Sequence, residues 1–324
     1  MNRSTCKYPW ENYEHRTEDR EEYIMAIMVT GGTGFIGSRI VWNLLEKGET
    51  VVSFDIRPAA SDTGSEKLIE YQGDVMHMPH LMEAVESNNV TKVIHTAALL
   101  PPGTEDHPQH GMLVNIHGTN NIFELARWKN IERVVYASSI ACYGVQETFG
   151  ERKVTERDIG YPANVYGLTK LANDFSAGQY IKKFNLDLRG VQICTVFGYG
   201  RVRGMTGLIG GLLMTNPAIG QSVEIPADPS EASPMIYVDD VAEIFVRLLF
   251  SKELKHYRYL SGGHLATLGE MADIVKEYLP DADITLGTGK VPHIYLVDNS
   301  NLIADIGYEL APMKECILAH INEA

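Results

Sequence analysis

The seven residues 31–37, GGTGFIG, constrain the fold of this chain more than any other stretch, because of what stands on either side of them. Residues 26–30 before them are apolar and partly β-branched, as in a buried parallel strand. The residues after them carry apolar side chains at helical spacing, and Gly48 ends that helix. The glycines therefore occupy a strand-to-helix turn.

Two glycine spacings overlap in this turn. Gly32, Gly34 and Gly37 fit G-x-G-x-x-G, while G-x-x-G-x-x-G starts one residue earlier, at Gly31. Missing side chains permit the tight turn, let backbone amides approach a pyrophosphate, and let the helix pack on the strand. The helix N-terminus then binds the negative charge, so the turn predicts a dinucleotide site.

The residue that ends the next candidate strand distinguishes two forms of such a dinucleotide. Asp55 follows the strand over residues 50–54 and stands 24 residues after Gly31. A carboxylate there accepts hydrogen bonds from the adenosine ribose and repels a 2′-phosphate. We therefore predict NAD rather than NADP, with Arg39 and Arg57 as nearby cations that soften the preference.

Size and composition limit the partners of the chain. Its 324 residues are enough for one large domain or two closely packed ones. The net charge of −14 argues against nucleic acid or an anionic membrane as the main partner, and no apolar run reaches the length of a membrane span. Four scattered cysteines without paired spacing favour a reducing compartment, so we expect a cytoplasmic protein without a metal site.

Strand-like and helix-like segments alternate from residue 26 to about residue 194. Further candidate strands cover residues 68–71, 92–96, 133–137 and 188–194, and candidate helices cover residues 81–87, 112–129 and 164–184. This alternation predicts an α/β fold, a Rossmann-type doubly wound parallel sheet with helices on both faces. Ligands bind at the carboxyl ends of the strands in such sheets.

Three regions follow from this pattern. Residues 1–24 are charged and aperiodic, and we expect a disordered N-terminal extension or an arm that docks on a partner subunit. Residues 25–195 are predicted to form the NAD-binding domain. Residues 196–324 are predicted to form mainly a smaller substrate-binding cap, with the chain crossing back to the sheet and with helices at 238–250 and near 268–278.

A tyrosine and a lysine suggest acid-base chemistry. Tyr166 and Lys170 are four residues apart in a predicted helix and therefore share a face. An unperturbed tyrosine, with a pKa of about 10, is a poor base near neutral pH, and a neighbouring ammonium favours the phenolate. The alternative is an ordinary amphipathic helix with a chance tyrosine. We expect Asp174, one turn after Lys170, at the surface or at a dimer contact.

Hydroxyl groups end the strand that precedes this helix. The strand near residues 133–137 continues into Ser138 and Ser139 at the edge where ligands bind. One of these hydroxyls can hydrogen-bond a substrate oxygen whose proton Tyr166 removes. His95 ends another predicted strand, and we expect a structural role for it rather than a catalytic one.

Further motifs follow one another in a recognisable order. They are Asp74-Val75, residues 95–98 (HTAA), residues 115–119 (NIHGT), Ser139 with Tyr143-Gly144, and residues 237–242 (YVDDVA). Together with the glycine turn and the Tyr166/Lys170 pair, they make the chain from Met25 onward resemble an extended short-chain dehydrogenase/reductase of the NAD-dependent epimerase/dehydratase family.

The resemblance implies roles for particular residues. Tyr166 would be the acid/base, Lys170 its electrostatic partner, and Ser139 the catalytic hydroxyl, since it stands four residues before Tyr143. The implied cofactor contacts are Gly31, Gly34, Phe35, Ile36, Gly37, Asp55, Asp74, Val75, Ala97, Ala98, Asn115, Tyr166 and Lys170. The implied substrate contacts are Ser139, Tyr166 and Arg201. The family also implies a homodimer, formed through the helices that contain Asn115 and Tyr166.

Two departures from the family pattern bear on the substrate. Residues 139–141 read Ser-Ile-Ala, where dehydratases place an acidic pair after the hydroxyl, which argues against dehydration. Residues 233–236 read Ser-Pro-Met-Ile, without the arginine with which nucleotide-sugar epimerases bind a diphosphate. Arg201 and Arg203 are possible substitutes. The Pro-Met pair is similar to members acting on small hydroxy acids, such as short-chain threonine dehydrogenases.

These observations predict an NAD-dependent oxidoreductase that oxidises a secondary alcohol of a small polar substrate, of the sugar-acid or hydroxy-acid type. A nucleotide-sugar epimerase that uses the same oxidation transiently is the first alternative. The second is a non-catalytic NAD(P)-sensing protein, against which the complete set of Ser139, Tyr166 and Lys170 argues.

Overall fold

A computed structural model describes residues 25–58 and 64–324, so the expectations for residues 1–24 lie outside the described part of the chain. Its strands are β1 (Ala26–Thr30), β2 (Thr50–Asp55), β3 (Leu68–Gln72), β4 (Val90–His95), β5 (Arg133–Ser139), β6 (Leu188–Ile193), β7 (Thr195–Phe197), β8 (Val223–Ala227), β9 (Ala232–Tyr237), β10 (Arg258–Leu260), β11 (His264–Thr267) and β12 (Ile284–Gly289).

The helices alternate with these strands along the chain. They are α1 (Phe35–Glu46), α2 (Met78–Ser87), α3 (Gly103–Asp106), α4 (Pro108–Met112), α5 (Gly118–Lys129), α6 (Val165–Phe184), α7 (Gly204–Gly207), α8 (Leu213–Ala218), α9 (Val238–Phe250), α10 (Leu268–Tyr278), α11 (Ser300–Ile306) and α12 (Met313–Glu323). Single turns of π-helix cover Leu113–His117 and Leu208–Leu212, and short 3₁₀ segments cover Ile140–Tyr143 and Gln146–Thr148.

Seven parallel strands form the central sheet in the order β3-β2-β1-β4-β5-β6-β10. The chain starts in the middle at β1, winds outward to β3, and then returns to β4 and winds the other way. The topology reverses between β1 and β4, and in sheets of this kind ligands bind outside the carboxyl ends of the strands at that point. The predicted doubly wound fold is confirmed.

Alternate residues of each strand pack on opposite faces of the sheet, as the pleat requires. Along β1, Ile27 and Val29 belong to the core cluster that includes α1 and α9, whereas Ala26 and Met28 belong to the cluster under α2 and α5. Both faces are buried, which explains why β1 reads as a continuous apolar run rather than as an alternating one.

The chain beyond residue 195 contributes to both the sheet and a smaller layer. Strand β10 pairs with β6 as the last strand of the central sheet, and α9 packs against α1. The remaining strands form two small sheets, β7-β9-β11 and β8-β12. The chain beyond residue 195 is therefore interwoven with the central sheet and does not form a separate layer alone.

The predicted elements differ from the observed ones in one informative place. Helices α9 and α10 have the predicted bounds, and Asn164 caps α6 by accepting a hydrogen bond from the amide of Gly167 at 2.8 Å. The predicted helix over residues 112–129 is confirmed as helical throughout, but a π-turn at Leu113–His117 interrupts its α-helical hydrogen bonding between α4 and α5. The turn changes the direction of the side chains around Asn115, which sequence periodicity does not reveal.

Candidate active site

The glycine turn between β1 and α1 is shaped by close backbone contacts. Gly31 has a φ of +72°, and its amide donates to the carbonyl oxygen of Phe54 at 2.8 Å. A Cβ at Gly31 would lie 2.8 Å from the amide nitrogen of Ala97, and one at Gly37 would overlap the carbonyl oxygen of Gly31. Only glycine fits these two positions, and the resulting turn leaves the N-terminus of α1 open to a pyrophosphate.

Asp55 lies beside this turn, as predicted for a ribose-binding carboxylate. It is buried, and its carboxylate accepts from the amides of Thr33 at 3.2 Å and Arg57 at 3.1 Å. The Arg57 guanidinium forms an ion pair with Asp55 at 3.7 Å. Arg39 was expected to soften the preference for NAD that Asp55 sets. Instead, its guanidinium forms ion pairs with Asp239 and Glu323, so it is not directed at Asp55.

The remaining cofactor candidates follow the ends of neighbouring strands. Asp74 comes after β3, and its carboxylate accepts from the amide of Met76 at 2.8 Å. Val75 is buried against Gly118 at the start of α5. Ala97 and Ala98 follow β4, with the backbone of Ala97 packed on the glycine turn. The strand ends therefore bring these side chains to one edge of the sheet.

Asn115 connects the loop after β4 to α6. Its side-chain oxygen accepts from the amide of Leu99 at 2.7 Å, and its side-chain nitrogen donates to the Leu99 carbonyl at 2.9 Å and the Thr169 hydroxyl at 3.1 Å. Asn115 lies in the π-turn at Leu113–His117, which positions this buried amide to bond both neighbours. It therefore holds the segment with Ala97 against the catalytic helix.

Ser139 and Tyr166 meet at the carboxyl end of β5. The Ser139 hydroxyl hydrogen-bonds Tyr166 and also accepts from the amide of Ala141 at 3.2 Å. Burial raises the pKa of Tyr166 to about 12, while the hydrogen bond from Ser139 and the positive charge of Arg201 act in the opposite direction. The two hydroxyls are therefore placed to share one substrate oxygen.

Lys170 lies one turn deeper in α6 and is only 3% exposed. Its ammonium donates to the carbonyl oxygen of Ala137 at 2.7 Å and lies 5.5 Å from the centre of the Tyr166 ring. Burial lowers the pKa of Lys170 to about 8, and the negative charge of Asp174 opposes this shift. An ammonium has three N–H donors, so two remain for a cofactor or substrate oxygen.

Arg201 is the cation whose charge bears most directly on Tyr166. Its guanidinium lies 5.5 Å from the centre of the Phe35 ring, one Nη donates to Thr206 at 2.8 Å, and its Nε is buried without a hydrogen-bond partner. Arg201 forms no ion pair with any residue that the structure describes. The structure thus brings this predicted substrate contact near Tyr166, with a guanidinium whose charge no described carboxylate pairs with.

Two expectations about buried groups have different outcomes. His95 is structural as predicted, since it lies between the hydroxyls of Thr30 (2.6 Å) and Thr119 (2.9 Å), and burial lowers its pKa to about 3. The expectation that Asp174 lies at the surface is wrong, because it faces the interior and is 1% exposed.

The sequence reasoning missed two residues that shape the site. Glu105 in α3 accepts from the amide of Tyr166 at 3.2 Å, so the segment after β4 reaches the start of the catalytic helix. Thr206 in α7 fixes the guanidinium of Arg201. Both residues lie in short irregular segments, where neither periodicity nor spacing marks a side chain as functional.

Two kinds of feature are absent from the described residues. Within 25–58 and 64–324, no group of three or more His, Cys, Asp or Glu side chains is arranged to hold a metal ion. In the same ranges, no helix combines the length and the apolar character needed to cross a bilayer.

Comparison with known proteins identifies the family. The model of the NAD dependent epimerase/dehydratase family matches residues 27–260. The chain belongs to this family. It is an NAD-dependent dehydrogenase or epimerase of the extended short-chain dehydrogenase/reductase type, and NAD is its cofactor. The glycine turn that excludes any Cβ and the buried Asp55 fit this cofactor.

Relatives of the enzyme act on different substrates. A putative UDP-glucose 4-epimerase of Methanocaldococcus jannaschii is 27% identical over 256 residues, which cover 77% of this chain and 81% of that protein. A partial consensus L-threonine 3-dehydrogenase has a TM-score of 0.84 at 22% identity, covering 92% of this chain and 98% of that one. The UDP-glucose 4-epimerase of Thermus thermophilus, solved with NAD, has a TM-score of 0.80 at 24% identity, with coverage of 92% and 98%. The last two show a shared fold.

Proposed function

We propose that the enzyme is an NAD-dependent dehydrogenase that oxidises a secondary alcohol on a small substrate with a carboxylate, a hydroxy acid or a sugar acid. Arg201 carries this proposal. It is a partly buried cation beside Tyr166, it has an unpaired Nε, and no described acidic side chain neutralises it. A guanidinium in this state favours a carboxylate, which it can bind through two parallel hydrogen bonds.

The roles of the site residues follow from their positions. Ser139 and Tyr166 hold the alcohol oxygen between their hydroxyls, and Arg201 anchors the substrate carboxylate. Tyr166 acts in its phenolate form, after its own proton has left, and takes the hydroxyl proton as the carbonyl forms. NAD, when bound beside these residues, would supply the acceptor for the hydride that leaves the same carbon. Lys170, one helical turn deeper than Tyr166, contributes a positive charge and two free N–H donors to the site.

We propose that NAD lies along the strand ends, from β3 to β5. The glycine turn with Gly31, Gly34 and Gly37 would hold the pyrophosphate at the start of α1, with Phe35 and Ile36 as neighbours. Asp55 would bind the adenosine ribose, while Asp74 and Val75 would contact the adenine. Ala97, Ala98 and Asn115 would line the nicotinamide side, next to Tyr166 and Lys170.

Strand β9 supports a small substrate over a nucleotide sugar. Its six residues, 232–237, include no lysine or arginine, and the Ser233 hydroxyl is hydrogen-bonded to Nε2 of His293 at 2.7 Å. Pro234 and Met235 beside it are buried. A diphosphate would therefore find no cation on β9 and would depend on the loop that carries Arg201 and Arg203, whereas the guanidinium of Arg201 suffices for one carboxylate.

A nucleotide-sugar epimerase is the second candidate, favoured by the resemblance to the putative epimerase along 77% of the chain. In that case Arg201 would bind a phosphate, and the hydride would return to the opposite face of the sugar. The two candidates differ in their products, since an epimerase leaves the total amounts of oxidised and reduced cofactor unchanged.

Net NADH formation tests the proposal. The enzyme is incubated with NAD and a panel of hydroxy acids and sugar acids, with UDP-glucose and UDP-glucuronic acid in separate reactions, and NADH is followed by its absorbance. We expect net NADH with at least one acid and no reaction with the methyl ester of that acid. Conversion of a UDP-sugar to its epimer without free NADH would contradict the proposal.

We also propose that the enzyme is a cytoplasmic homodimer that associates through the outer face of α6. This face presents apolar side chains, including Leu168 and Phe175, and Phe175 is 69% exposed, whereas the inner face carries Asn173 and Asp174. Exposed apolar side chains on the outer face of a helix are typical of a surface that binds a partner. Phe175→Glu should yield monomers in light scattering, and a dimer of unchanged mass would contradict this interface.

The buried, unpaired Cys142, Cys194 and Cys316 fit a reducing compartment.

A further inference from the structure

The inner face of α6 contains a carboxylate that the chemistry described above does not use. Asp174 follows Lys170 by one helical turn, and the two side chains are 1% and 3% exposed. Side chains four residues apart on a helix share a face, so both groups point into the same buried region, where the charge of Asp174 acts on Lys170 without direct ion-pair contact. Buried charges of this kind are retained only when they are paired and hydrogen-bonded.

Donors from two strands fix the carboxylate of Asp174. The Tyr136 hydroxyl of β5 donates to its Oδ1 at 3.1 Å, and the Gln192 amide nitrogen of β6 donates to its Oδ2 at 2.8 Å. The Tyr143 hydroxyl donates to the other end of the Gln192 amide at 2.8 Å, which turns the NH₂ group toward Asp174. Both carboxylate oxygens thus accept hydrogen bonds, and this arrangement favours the ionised form.

Burial and the polar neighbours of Asp174 have opposite effects on the pKa of its carboxyl group. Burial raises the pKa of its carboxyl, while the positive charge of Arg258 in β10 and the hydrogen bond from Gln192 oppose that rise. Cys142 contacts the same Gln192 nitrogen at 3.5 Å, and burial raises the pKa of its thiol, so it remains neutral. Asp174 is therefore the carboxylate of this buried cluster that can hold a negative charge, with Arg258 and Gln192 favouring its ionised form.

Among the groups around Lys170, Asp174 is the one whose negative charge stabilises the ammonium form. From β5, the Ala137 carbonyl accepts one N–H of the ammonium. From β4, His95 is neutral and adds no charge near pH 7. On α6 itself, Tyr166 is protonated in the resting state. Burial alone would therefore favour the neutral amine, and Asp174 is the described group that opposes it.

We propose that Asp174 is a positioning residue that keeps Lys170 in its ammonium form near neutral pH, through a carboxylate fixed by Tyr136 and Gln192. The amine form would have one N–H fewer and no charge with which to support Tyr166. This role holds for either a dehydrogenase or an epimerase, and its first test requires no substrate, so it can fail or succeed independently of the proposed function.

The direct test is the titration of Lys170 in the full-length enzyme. NMR of protein with isotopically labelled lysine follows the Cε chemical shift against pH, and the Lys170 signal is assigned by its loss in Lys170→Met. Asp174→Asn preserves shape, since its oxygen can accept from Gln192 and its nitrogen can donate to Tyr136. We expect the pKa of Lys170 to fall from about 8 by about one unit or more in this variant.

Tyr136→Phe is the matched control, because it removes one hydrogen bond at the same place but leaves the charge of Asp174. We expect a pKa of Lys170 close to that of the wild type. An unchanged Lys170 titration in Asp174→Asn, or an equal shift in both variants, would overturn the proposal. If Asp174→Asn does not fold, Asp174→Ser provides the neutral variant, with the same two outcomes.

Turnover gives a second readout that a purely structural role would not produce. Once a substrate is known, the ratio of the Asp174→Asn rate to the wild-type rate should increase as the pH falls from about 8 to about 6, because acid restores the ammonium. An Asp174→Asn rate reduced by the same factor at every pH would indicate lost packing alone and would contradict the proposal.

Discussion

Two parts of the proposed site differ in construction: the cofactor half around the glycine turn and the substrate half around Ser139 and Arg201. The first is formed mainly by backbone atoms and the second mainly by side chains. The cofactor half consists of backbone in close contact, such as Gly31 against Ala97 and Gly37 against the Gly31 carbonyl. The substrate half consists of side chains from separate segments, with Ser139 at the end of β5 and Arg201 in the loop after β7. The glycine turn is specified by local sequence before it packs on the backbone at Ala97, whereas the second half depends on individual side chains that folding brings together from distant segments.

This difference determines how each half should respond to substitution. A methyl group added at Gly31 or Gly37 is enough to disturb the cofactor half, since the contacts at these two positions leave no space for a Cβ. The substrate half tolerates changes of volume more easily but depends on individual charges and hydroxyls. Four substitutions, taken from the largest expected effect to the smallest, examine whether the halves are separable in this way.

Tyr166→Phe removes the acid/base and preserves the ring. We expect turnover to fall by about 10³-fold, because a positioned general acid/base contributes of that order, while NAD affinity stays nearly unchanged. Initial rates and NAD titration by fluorescence on the same preparation measure both quantities. A variant with the wild-type rate would refute the role of Tyr166, and a parallel loss of NAD affinity would show that the halves are not separable.

Arg201→Leu removes the proposed anion anchor. We expect kcat/KM for the acid substrate to fall by about 10²-fold, as lost charge-assisted hydrogen bonds imply, with most of the change in KM. Arg203→Leu is the matched control, since Arg203 is exposed two residues away and should behave like the wild type. If Arg201→Leu weakens NAD binding and leaves the substrate KM unchanged, Arg201 belongs to the cofactor half, next to Phe35.

Gly37→Ala places a methyl group on the carbonyl oxygen of Gly31. We expect a loss of about 2 kcal/mol in the free energy of unfolding, which is typical of overpacking, together with weaker NAD binding. Gly34→Ala is the comparison, because its Cβ would meet only the Gly31 carbonyl, at 3.1 Å, and should change stability little. Denaturant unfolding of both variants measures the difference. Equal stability would contradict the account of the turn.

Asp55→Asn tests the ribose contact at the far end of the cofactor half. We expect the Kd for NAD to rise by about tenfold, since an amide replaces a charged acceptor, while kcat at saturating NAD changes little. The Kd for NADP should fall in the same variant, because the repulsion of the 2′-phosphate is removed and Arg57 loses its ion-pair partner. An unchanged ratio of the two affinities would show that Asp55 does not select the cofactor.

The same comparison explains what could be predicted from the sequence. The glycine turn, Asp55 at the end of β2 and helices α9 and α10 follow from local patterns, and the structure places them as expected. Asp174 was misjudged because the apolar residues of α6 lie on its outer face, so a residue opposite to them looked exposed. Arg39 was misjudged because its partner, Glu323, is 284 residues away in sequence.

Deuterium tracing tests the central claim most directly, that the enzyme releases a reduced cofactor after oxidising a carboxylate-bearing alcohol. The substrate identified in the NADH assay is prepared with deuterium on its carbinol carbon and incubated with the enzyme and NAD. The account predicts that deuterium appears in released NADH in proportion to the ketone formed. Deuterium that stays on the same carbon of an epimerised product, with no label in free cofactor, would contradict it.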